Sequence, residues 1–242
     1  TVPTPYGEAV AIRILSRDSE LKTMEKLGFS ERHKNLMRQM IQKPYGIIFV
    51  TGPTGSGKST TLYAALSEIN SIDRKIITIE DPIEYRIQGV TQIQVNPAID
   101  LTFARVLRTT LRLDPDVIMV GETRDPETAK ITIATAMTGH LVFSTLHTND
   151  ACGAFTRLND MGVEPFLIAS SVEGVLAQRL VRVLCPHCKQ RYTPEPDLIR
   201  QVNMTRENPT GLPFHRPAGC ESCRYTGYAG RTAIMEMVRM DE

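Results

Sequence analysis

A glycine-rich stretch in the first quarter of the chain has the residue types and spacing of a phosphate-binding loop. Residues 52–60 read GPTGSGKST and fit the pattern G-x-x-x-x-G-K-[ST]. The glycines let the backbone curl, so that successive N–H groups point at phosphate oxygens. We expect Lys58 to reach the terminal phosphates and the Ser59 hydroxyl to bind Mg²⁺. The predicted ATP-binding residues of this loop are Gly52, Pro53, Thr54, Gly55, Ser56, Gly57, Lys58, Ser59 and Thr60.

An acidic residue follows a short apolar run that predicts a buried strand over residues 116–120. Asp116 lies at the start of this run and Glu122 just beyond its end. Sites in parallel α/β sheets lie at the carboxyl ends of the strands. At about 3.3 Å per residue the two acids are roughly 20 Å apart, so Glu122 is the one expected near the metal.

Three more carboxylates, Glu80, Asp81 and Glu84, follow a strand predicted over residues 75–80. One of them is expected to act as the base or to orient the attacking water. The alternative is that acidic residues simply favour turns at strand ends and helix caps.

Two histidines, His140 and His147, flank a strand predicted over residues 140–146. A single histidine is more often structural than catalytic. His147 lies at the carboxyl end of its strand, which favours a role in sensing the γ-phosphate.

Four of the five cysteines form two C-x-x-C pairs, Cys185/Cys188 and Cys220/Cys223. Four thiolates in two tight turns predict a closed, structural Zn²⁺ site that holds a proline-rich segment together. The alternatives are unligated thiols or disulfides, and His187 is a weaker rival ligand. Cys152 is expected to be an ordinary buried or half-buried residue.

Strands and helices alternate in the periodicity of the first 150 residues. Continuous apolar strands of this kind predict an α/β fold with a mostly parallel sheet covered on both faces. From about residue 150 the apolar spacing, which continues to Leu184, predicts several short helices. The predicted strands are 9–15, 46–50, 75–80, 116–120 and 140–146, and the predicted helices are 30–43, 59–70, 102–112 and 126–138.

The composition excludes several classes of protein. A formal charge of +1 provides no global basic field for nucleic acid or anionic lipid. The chain contains no run of 18 apolar residues and no signal peptide at its start, and its cysteine pairs indicate a reducing compartment, so we expect a cytosolic protein. The missing initiator Met and the uncapped end suggest a fragment cut at both ends.

The ordered motifs resemble those of the secretion-superfamily ATPases that drive type II secretion and type IV pilus assembly. They are the Walker A loop GPTGSGKST, the Asp box ITIEDPIEY, the Walker B segment DPDVIMVGETRD and the His box TGHLVFSTLHT, followed by the four cysteines. The resemblance covers nearly the whole chain. The segment 153–188 is closer to the type II secretion ATPases than to pilus-extension motors, and retraction motors generally lack the cysteines.

The resemblance implies a RecA-like P-loop NTPase core that works in a hexamer, with nucleotide held between two domains. It divides the chain into a tail of a truncated PAS-like domain with its linker (1–28), the ATPase domain (29–184), the zinc-binding insert (185–224) and a return into the C-terminal domain (225–242).

The same resemblance assigns roles to individual residues. Lys58 and Ser59 match the Walker A pair, Glu122 the Walker B carboxylate, Glu84 the general base and His147 the His-box sensor. Arg13 matches an arginine that approaches the γ-phosphate, while Arg108 and Arg112 match arginines linked to nucleotide binding or the subunit interface. Thr123 and Ala233 depart from the usual family residues, and neither is a proposed catalytic group.

The implied function is a hexameric ATPase that powers pseudopilus assembly in type II protein secretion. It would lie in the cytoplasm, peripheral at the bacterial inner membrane, bound there through anchor and platform proteins. The alternatives are a type IV pilus assembly ATPase, a RecA-like nucleic-acid motor, and a zinc-held module that binds ATP without hydrolysing it. The nucleic-acid motor is disfavoured because Trp is absent and no Lys/Arg run interleaves with the aromatic residues.

Overall fold

The computed structural model describes residues 2–10, 23–195, 197–198, 200 and 213–240. It divides the chain into two compact units. One unit comprises Thr1–Arg179 and Met235–Glu242, and the other comprises Leu180–Ile234. The cysteine-containing segment predicted over residues 185–224 falls inside the second unit.

A seven-stranded sheet contains most of the strands. Numbered along the chain, the strands are β1 (Val2–Thr4), β2 (Gly7–Ala9), β3 (Gly46–Thr51), β4 (Ile76–Glu80), β5 (Thr91–Gln94), β6 (Val117–Val120), β7 (Leu141–Leu146), β8 (Val172–Leu184), β9 (Gln190–Arg191), β10 (His215–Arg216) and β11 (Tyr228–Arg239). Their order in the sheet is β11-β8-β3-β7-β6-β4-β5, and all neighbouring pairs from β8 to β5 are parallel. The predicted mostly parallel sheet is therefore confirmed, with β3 in its interior between β8 and β7.

The helices are α1 (Glu31–Ile41), α2 (Lys58–Ile69), α3 (Phe103–Thr110), α4 (Pro126–Met137), α5 (Gly153–Asp160) and α6 (Pro165–Ser171). The first four agree with the predicted helices to within a few residues. Helix α1 begins where expected because the Ser30 hydroxyl accepts a hydrogen bond from the His33 N–H at 3.2 Å, which caps the first turn.

The helices cover both faces of the sheet, as the continuous apolar strands predicted. Side chains of β3 alternate between two buried clusters because successive residues of a strand point to opposite faces. Ile47 and Phe49 pack in the cluster that contains residues of α3, α4, α5 and α6. Ile48 and Val50 pack in the cluster that contains residues of α1 and α2. The two layers hold β3 rigidly from both sides.

The helical prediction is wrong for residues 172–184. Helices α5 and α6 are present as expected, but Val172–Leu184 forms strand β8 and pairs with β3, with Val175 opposite Phe49 and Leu176 opposite Val50. The consecutive buried residues from Val175 to Ala177 fit a strand whose two faces are both covered. Its pairing partner lies more than 120 residues away, so local periodicity could not identify it.

Two further differences concern short strands. Strand β5 at the sheet edge was not predicted, because only Ile93 among its four residues is apolar and the segment therefore lacks the apolar run of a buried strand. At the start of the chain Gly7–Ala9 pairs antiparallel with Val2–Thr4. Residues 11–15 of the strand predicted there lie outside the described residues. In the described part of the chain, no helix has the length and apolar character needed to cross a membrane.

Candidate functional site

The glycine-rich loop connects the carboxyl end of β3 to the start of α2, which is the strand–loop–helix context that the motif requires. Two glycines are needed for its shape. A Cβ at Gly52 would collide with the backbone carbonyl oxygen of Gln178 and would lie 2.7 Å from Ser56 Oγ. Gly57, the residue before α2, has a φ of 90°, which side-chain-bearing residues rarely adopt. The loop therefore lies in close contact with strand β8 at Gly52 and ends at the N-terminus of helix α2.

A buried glutamine on β8 braces this loop. Gln178 is 3% exposed, and its Nε2 donates to the backbone carbonyl of Ser56 at 2.7 Å. Its Oε1 accepts from Thr61 Oγ1 on α2, also at 2.7 Å. One side chain thus fixes both the loop and the helix that follows it. Sequence reasoning missed Gln178 because it lies in the segment that was predicted to be helical.

Lys58 folds back over the loop. Its Nζ donates to the carbonyl oxygens of Gly52 at 2.8 Å and Pro53 at 3.2 Å. Burial lowers the pKa of Lys58, with the negative charge of Glu122 opposing this shift and the positive charge of Arg124 adding to it. The ammonium group is therefore held by the loop's own carbonyl groups, and the charges of Glu122 and Arg124 act on it.

Ser59 and Glu84 come together beside the loop. Ser59 Oγ donates to Glu84 Oε1 at 3.5 Å, a long hydrogen bond between the first turn of α2 and the loop after β4. The Glu84 backbone N–H in turn donates to the hydroxyl oxygen of Tyr63 at 3.3 Å. The predicted magnesium ligand and the predicted base are thus direct neighbours.

Glu80 has a different environment from Glu84. It is 4% exposed, and its carboxylate accepts hydrogen bonds from the Tyr63 hydroxyl, from Thr78 Oγ1 at 2.5 Å and from Gln92 Nε2 at 3.0 Å. Asp81 is exposed at the start of the loop. Of the three carboxylates at the end of β4 and in the loop after it, Glu84 is the one in contact with Ser59, while Glu80 accepts hydrogen bonds from interior donors.

Glu122, His147 and Arg124 form a second group at the same end of the sheet. His147 Nε2 lies 2.5 Å from Glu122 Oε1, and the Arg124 guanidinium pairs with the same oxygen. The hydrogen bond from Arg124 to Glu122 raises the pKa of Arg124. The structure therefore brings the predicted Walker B carboxylate and the predicted His-box residue into direct contact, and it adds Arg124, to which sequence reasoning gave no role.

Hydrogen bonds fix the segment after His147 to the end of β3. Thr148 N donates to Thr51 Oγ1 at 2.8 Å, and the two threonine hydroxyl oxygens lie 2.7 Å apart. His147 is thereby anchored to the strand that leads into the phosphate loop.

The remaining predicted residues lie elsewhere. Arg108 pairs with Glu127 of α4 at 2.6 Å, both of them exposed, and Arg112 is exposed in the 3₁₀ turn Leu111–Leu113. Their roles in nucleotide binding or at a subunit interface stay predictions. Arg13 lies outside the described residues. His140 Nδ1 lies 3.1 Å from both the Thr138 hydroxyl and the Thr135 carbonyl, a local contact at the end of α4.

The four paired cysteines converge within the second unit. Their sulfur atoms all lie within 4.8 Å of one another, and three sulfur pairs are separated by 3.8–3.9 Å. Four thiolates at about 2.3 Å from one tetrahedral Zn²⁺ would be about 3.8 Å apart, so the arrangement fits zinc. Within the described residues this group of ligand atoms includes no histidine nitrogen, and His187 is not part of it.

Backbone N–H groups point at two of these sulfurs. Gly219 N donates to Cys188 Sγ, and both Cys220 N and Gly227 N donate to Cys223 Sγ, each at 3.2 Å. Burial opposes ionisation of Cys223, but these backbone donors outweigh it and lower the pKa of its thiol to about 6. Burial raises the pKa of Cys188 to about 11. Of these two thiols, Cys223 is therefore the one that ionises more readily.

Cys152 was expected to be buried or half-buried, and that expectation is wrong. It is exposed at the residue before helix α5. A position at a helix end, outside both core clusters, leaves its side chain in solvent.

Comparison with known proteins identifies similar chains. Residues 1–242 match the family described as Type II/IV secretion system protein. Type II secretion system protein E of Dickeya dadantii (strain 3937) is 54% identical over 242 residues, which are 100% of this chain and 48% of that protein. The type IV pilus assembly ATPase PilB of Thermus thermophilus is 51% identical over 242 residues, 100% of this chain and 27% of that protein.

A solved structure is also similar. The crystal structure of the pilus retraction motor PilT with bound ADP has a TM-score of 0.61 and 41% sequence identity, and the match covers 69% of this chain and 50% of that one. The present chain spans about half the length of the type II secretion relatives it matches.

Proposed function

Since this chain belongs to the type II/IV secretion system protein family, we propose that it binds Mg²⁺–ATP at the loop of residues 52–60 and hydrolyses it. We further propose that it does so within a hexamer that powers pseudopilus assembly in type II protein secretion, on the cytoplasmic face of the bacterial inner membrane.

The contact between Ser59 and Glu84 carries this proposal. Binding of Mg²⁺–ATP needs one carboxylate near the metal-binding hydroxyl, whereas hydrolysis needs a second one to activate water. Here Glu84 Oε1 lies 3.5 Å from Ser59 Oγ, and the charge of Glu122 acts on Lys58. Two acidic groups are therefore available, one to hold the metal and one to orient water, as a hydrolase needs.

Each residue has a defined task in this proposal. The backbone N–H groups of the loop and the N-terminus of α2 hold the phosphates, and Lys58 exchanges its bonds to Gly52 and Pro53 for phosphate oxygens. Bound Mg²⁺ neutralises charge on the phosphates. Glu84 accepts a proton from the attacking water, and His147 holds Glu122 in place.

Replacing Glu84 by Gln tests hydrolysis separately from binding. Removal of a general base is expected to lower the turnover number at least about 100-fold, while ATP affinity, measured with a fluorescent analogue, changes less than about twofold. Glu68→Gln is the matched control, because Glu68 lies near the end of α2, away from the phosphate loop, and pairs with Arg38 on the surface. Wild-type turnover in Glu84→Gln would refute the assignment of Glu84 as the base. A wild-type chain that binds ATP but shows no turnover would favour a module that binds ATP without hydrolysing it.

Type II secretion is preferred over pilus assembly because the similar chains include type II secretion proteins that are 54% and 56% identical. The 51% identity to PilB keeps pilus assembly as the second candidate. We expect the neighbouring genes to encode a pseudopilin and an outer-membrane secretin channel. A neighbouring gene for a retraction motor would instead assign the chain to a pilus.

We also propose that Cys185, Cys188, Cys220 and Cys223 hold one Zn²⁺. Sulfur separations close to the tetrahedral value support this, and so do the backbone donors that stabilise the Cys223 thiolate. When bound, the ion supplies a covalent-strength crosslink between the two turns, and no position is left for a substrate. The site is therefore proposed to be structural.

A further inference from the structure

We propose that Tyr63 and Glu80 are positioning residues that set Glu84 against the phosphate loop, an inference that rests on the proposed ATP hydrolysis. Their side chains hydrogen-bond to each other and to Thr78, Glu84 and Gln92, which all lie outside residues 52–60. They act through Glu84, whose backbone N–H donates to the Tyr63 hydroxyl.

Helix α2 presents two contacts to the loop after β4 from one face. Ser59 and Tyr63 are four residues apart, so they lie one turn from each other on the same side of the helix. Ser59 contacts the side chain of Glu84 and Tyr63 contacts its backbone. The helix that begins at the phosphate loop therefore holds the predicted base at two points.

Glu80 fixes the direction of the Tyr63 hydroxyl. A phenol has a single proton to donate, and Tyr63 donates it to the Glu80 carboxylate. The oxygen lone pairs are then free to accept the N–H of Glu84. Burial, followed by the hydrogen bond to Glu80, raises the pKa of Tyr63, so the hydroxyl keeps this proton at neutral pH.

Gln92 holds the far side of the same loop. Its Nε2 donates to Glu80 at 3.0 Å and to the carbonyl of Tyr85 at 2.9 Å, and its Oε1 accepts from the N–H of Ile87 at 2.8 Å. The Glu80 carboxylate is thus the common anchor for two side chains that bond the loop, Tyr63 at Glu84 itself and Gln92 just after it. An uncharged side chain at residue 80 would be a weaker acceptor and would weaken the hydrogen bonds from both Tyr63 and Gln92.

The test replaces Tyr63 by Phe, which keeps the buried ring and its edge contact with Tyr85 at a centroid distance of 5.8 Å. Two quantities are measured on the full chain: steady-state ATP hydrolysis with saturating Mg²⁺, and hydrogen–deuterium exchange of the peptide that contains Glu84. We expect the turnover number to fall about tenfold with KM changed less than about twofold, since the base is misplaced and the nucleotide site is intact. Loss of the bond from the Glu84 N–H should accelerate exchange of this amide by about fivefold.

Thr132→Val is the matched control for a buried hydroxyl. Thr132 Oγ1 donates to the Thr128 carbonyl within α4 at 2.7 Å, so its removal also costs one interior hydrogen bond. Stability should fall, while the turnover number and the exchange at Glu84 should stay at wild-type values. A turnover number equally reduced in both variants would mean that Tyr63 has only a structural role, and would overturn the inference.

A double-mutant cycle with Glu80→Gln provides the second test. If Tyr63 acts through its bond to Glu80, the double variant should be no more than about twofold slower than the slower single variant. Multiplied effects would overturn the inference, as would unchanged exchange or an unchanged turnover number in Tyr63→Phe. A wild-type chain that hydrolyses no ATP would refute the proposed function instead, and the exchange comparison alone would then decide whether Tyr63 holds the loop.

Discussion

The brace formed by Gln178 allows a quantitative prediction. In Gln178→Leu, the side chain keeps a similar volume and loses both hydrogen bonds, leaving the Ser56 carbonyl and the Thr61 hydroxyl without this partner. A buried polar group left unpaired costs about 1–3 kcal/mol. The Thr61 hydroxyl can turn to the carbonyl of Gly57, four residues earlier in the chain, so the cost of leaving it without Gln178 lies at the low end of this range. We expect the free energy of unfolding to fall by about 2–4 kcal/mol.

Urea unfolding followed by circular dichroism measures this loss, and a fluorescent ATP analogue measures its effect on the loop. ATP affinity should weaken about tenfold in Gln178→Leu, because the Ser56 carbonyl is released and the loop must be ordered on binding. Thr61→Val is the control, since it removes only the bond to the helix and leaves the bond to Ser56 intact. It should lose about 1–2 kcal/mol of stability with nearly normal ATP affinity.

Two outcomes would refute this reasoning. In the first, Gln178→Leu unfolds at the wild-type urea concentration, which would mean that the two bonds contribute no net stability. In the second, Thr61→Val weakens ATP binding as much as Gln178→Leu does, which would mean that the brace acts on the helix and not on the loop.

Two further predictions follow from the loop and the cysteines. Gly52→Ala should abolish ATP binding, because the added Cβ would collide with the Gln178 carbonyl oxygen. The matched variant Gly55→Ala meets no atom within 4 Å and should lower the free energy of unfolding by only about 1–2 kcal/mol, the cost of its positive φ. Equal losses of ATP binding in the two variants would contradict the steric explanation. Atomic absorption should find about one zinc per chain, and Cys188→Ser should lose it. Cys152→Ser is the control and should retain the zinc, because Cys152 is exposed and lies outside the cluster. A zinc-free wild-type protein would contradict the proposed metal site.

The sequence predicted the central part of the fold well because its signals there are local. The glycine-rich loop contains its own turn chemistry, the strands on either side are short apolar runs, and Ser30 marks the start of α1 by a bond to a residue three positions away. The convergence of Glu122 and His147 was also predictable, since both follow parallel strands that end at the same edge of the sheet.

What the sequence did not predict depends on contacts between distant residues. Strand β8 was assigned as helix because its pairing partner β3 precedes it by more than 120 residues. Glu80 and Glu84 are hard to distinguish by position, since one ends β4 and the other follows it by four residues, and only the family resemblance favoured Glu84 as the base. In the structure, the interior donors around Glu80 and the approach of Ser59 to Glu84 distinguish the two. Tyr63 had a detectable signal, its one-turn spacing from Ser59, but its hydroxyl could equally have pointed elsewhere.

Helix α2 bears Lys58, Ser59 and Tyr63 within its first two turns. If the helix moves as a rigid body, these three side chains shift together. A tilt that brings the Lys58 ammonium group towards an arriving phosphate then also shifts Ser59 and Tyr63, which contact Glu84. Nucleotide binding and the placement of the proposed base are thereby coupled through α2.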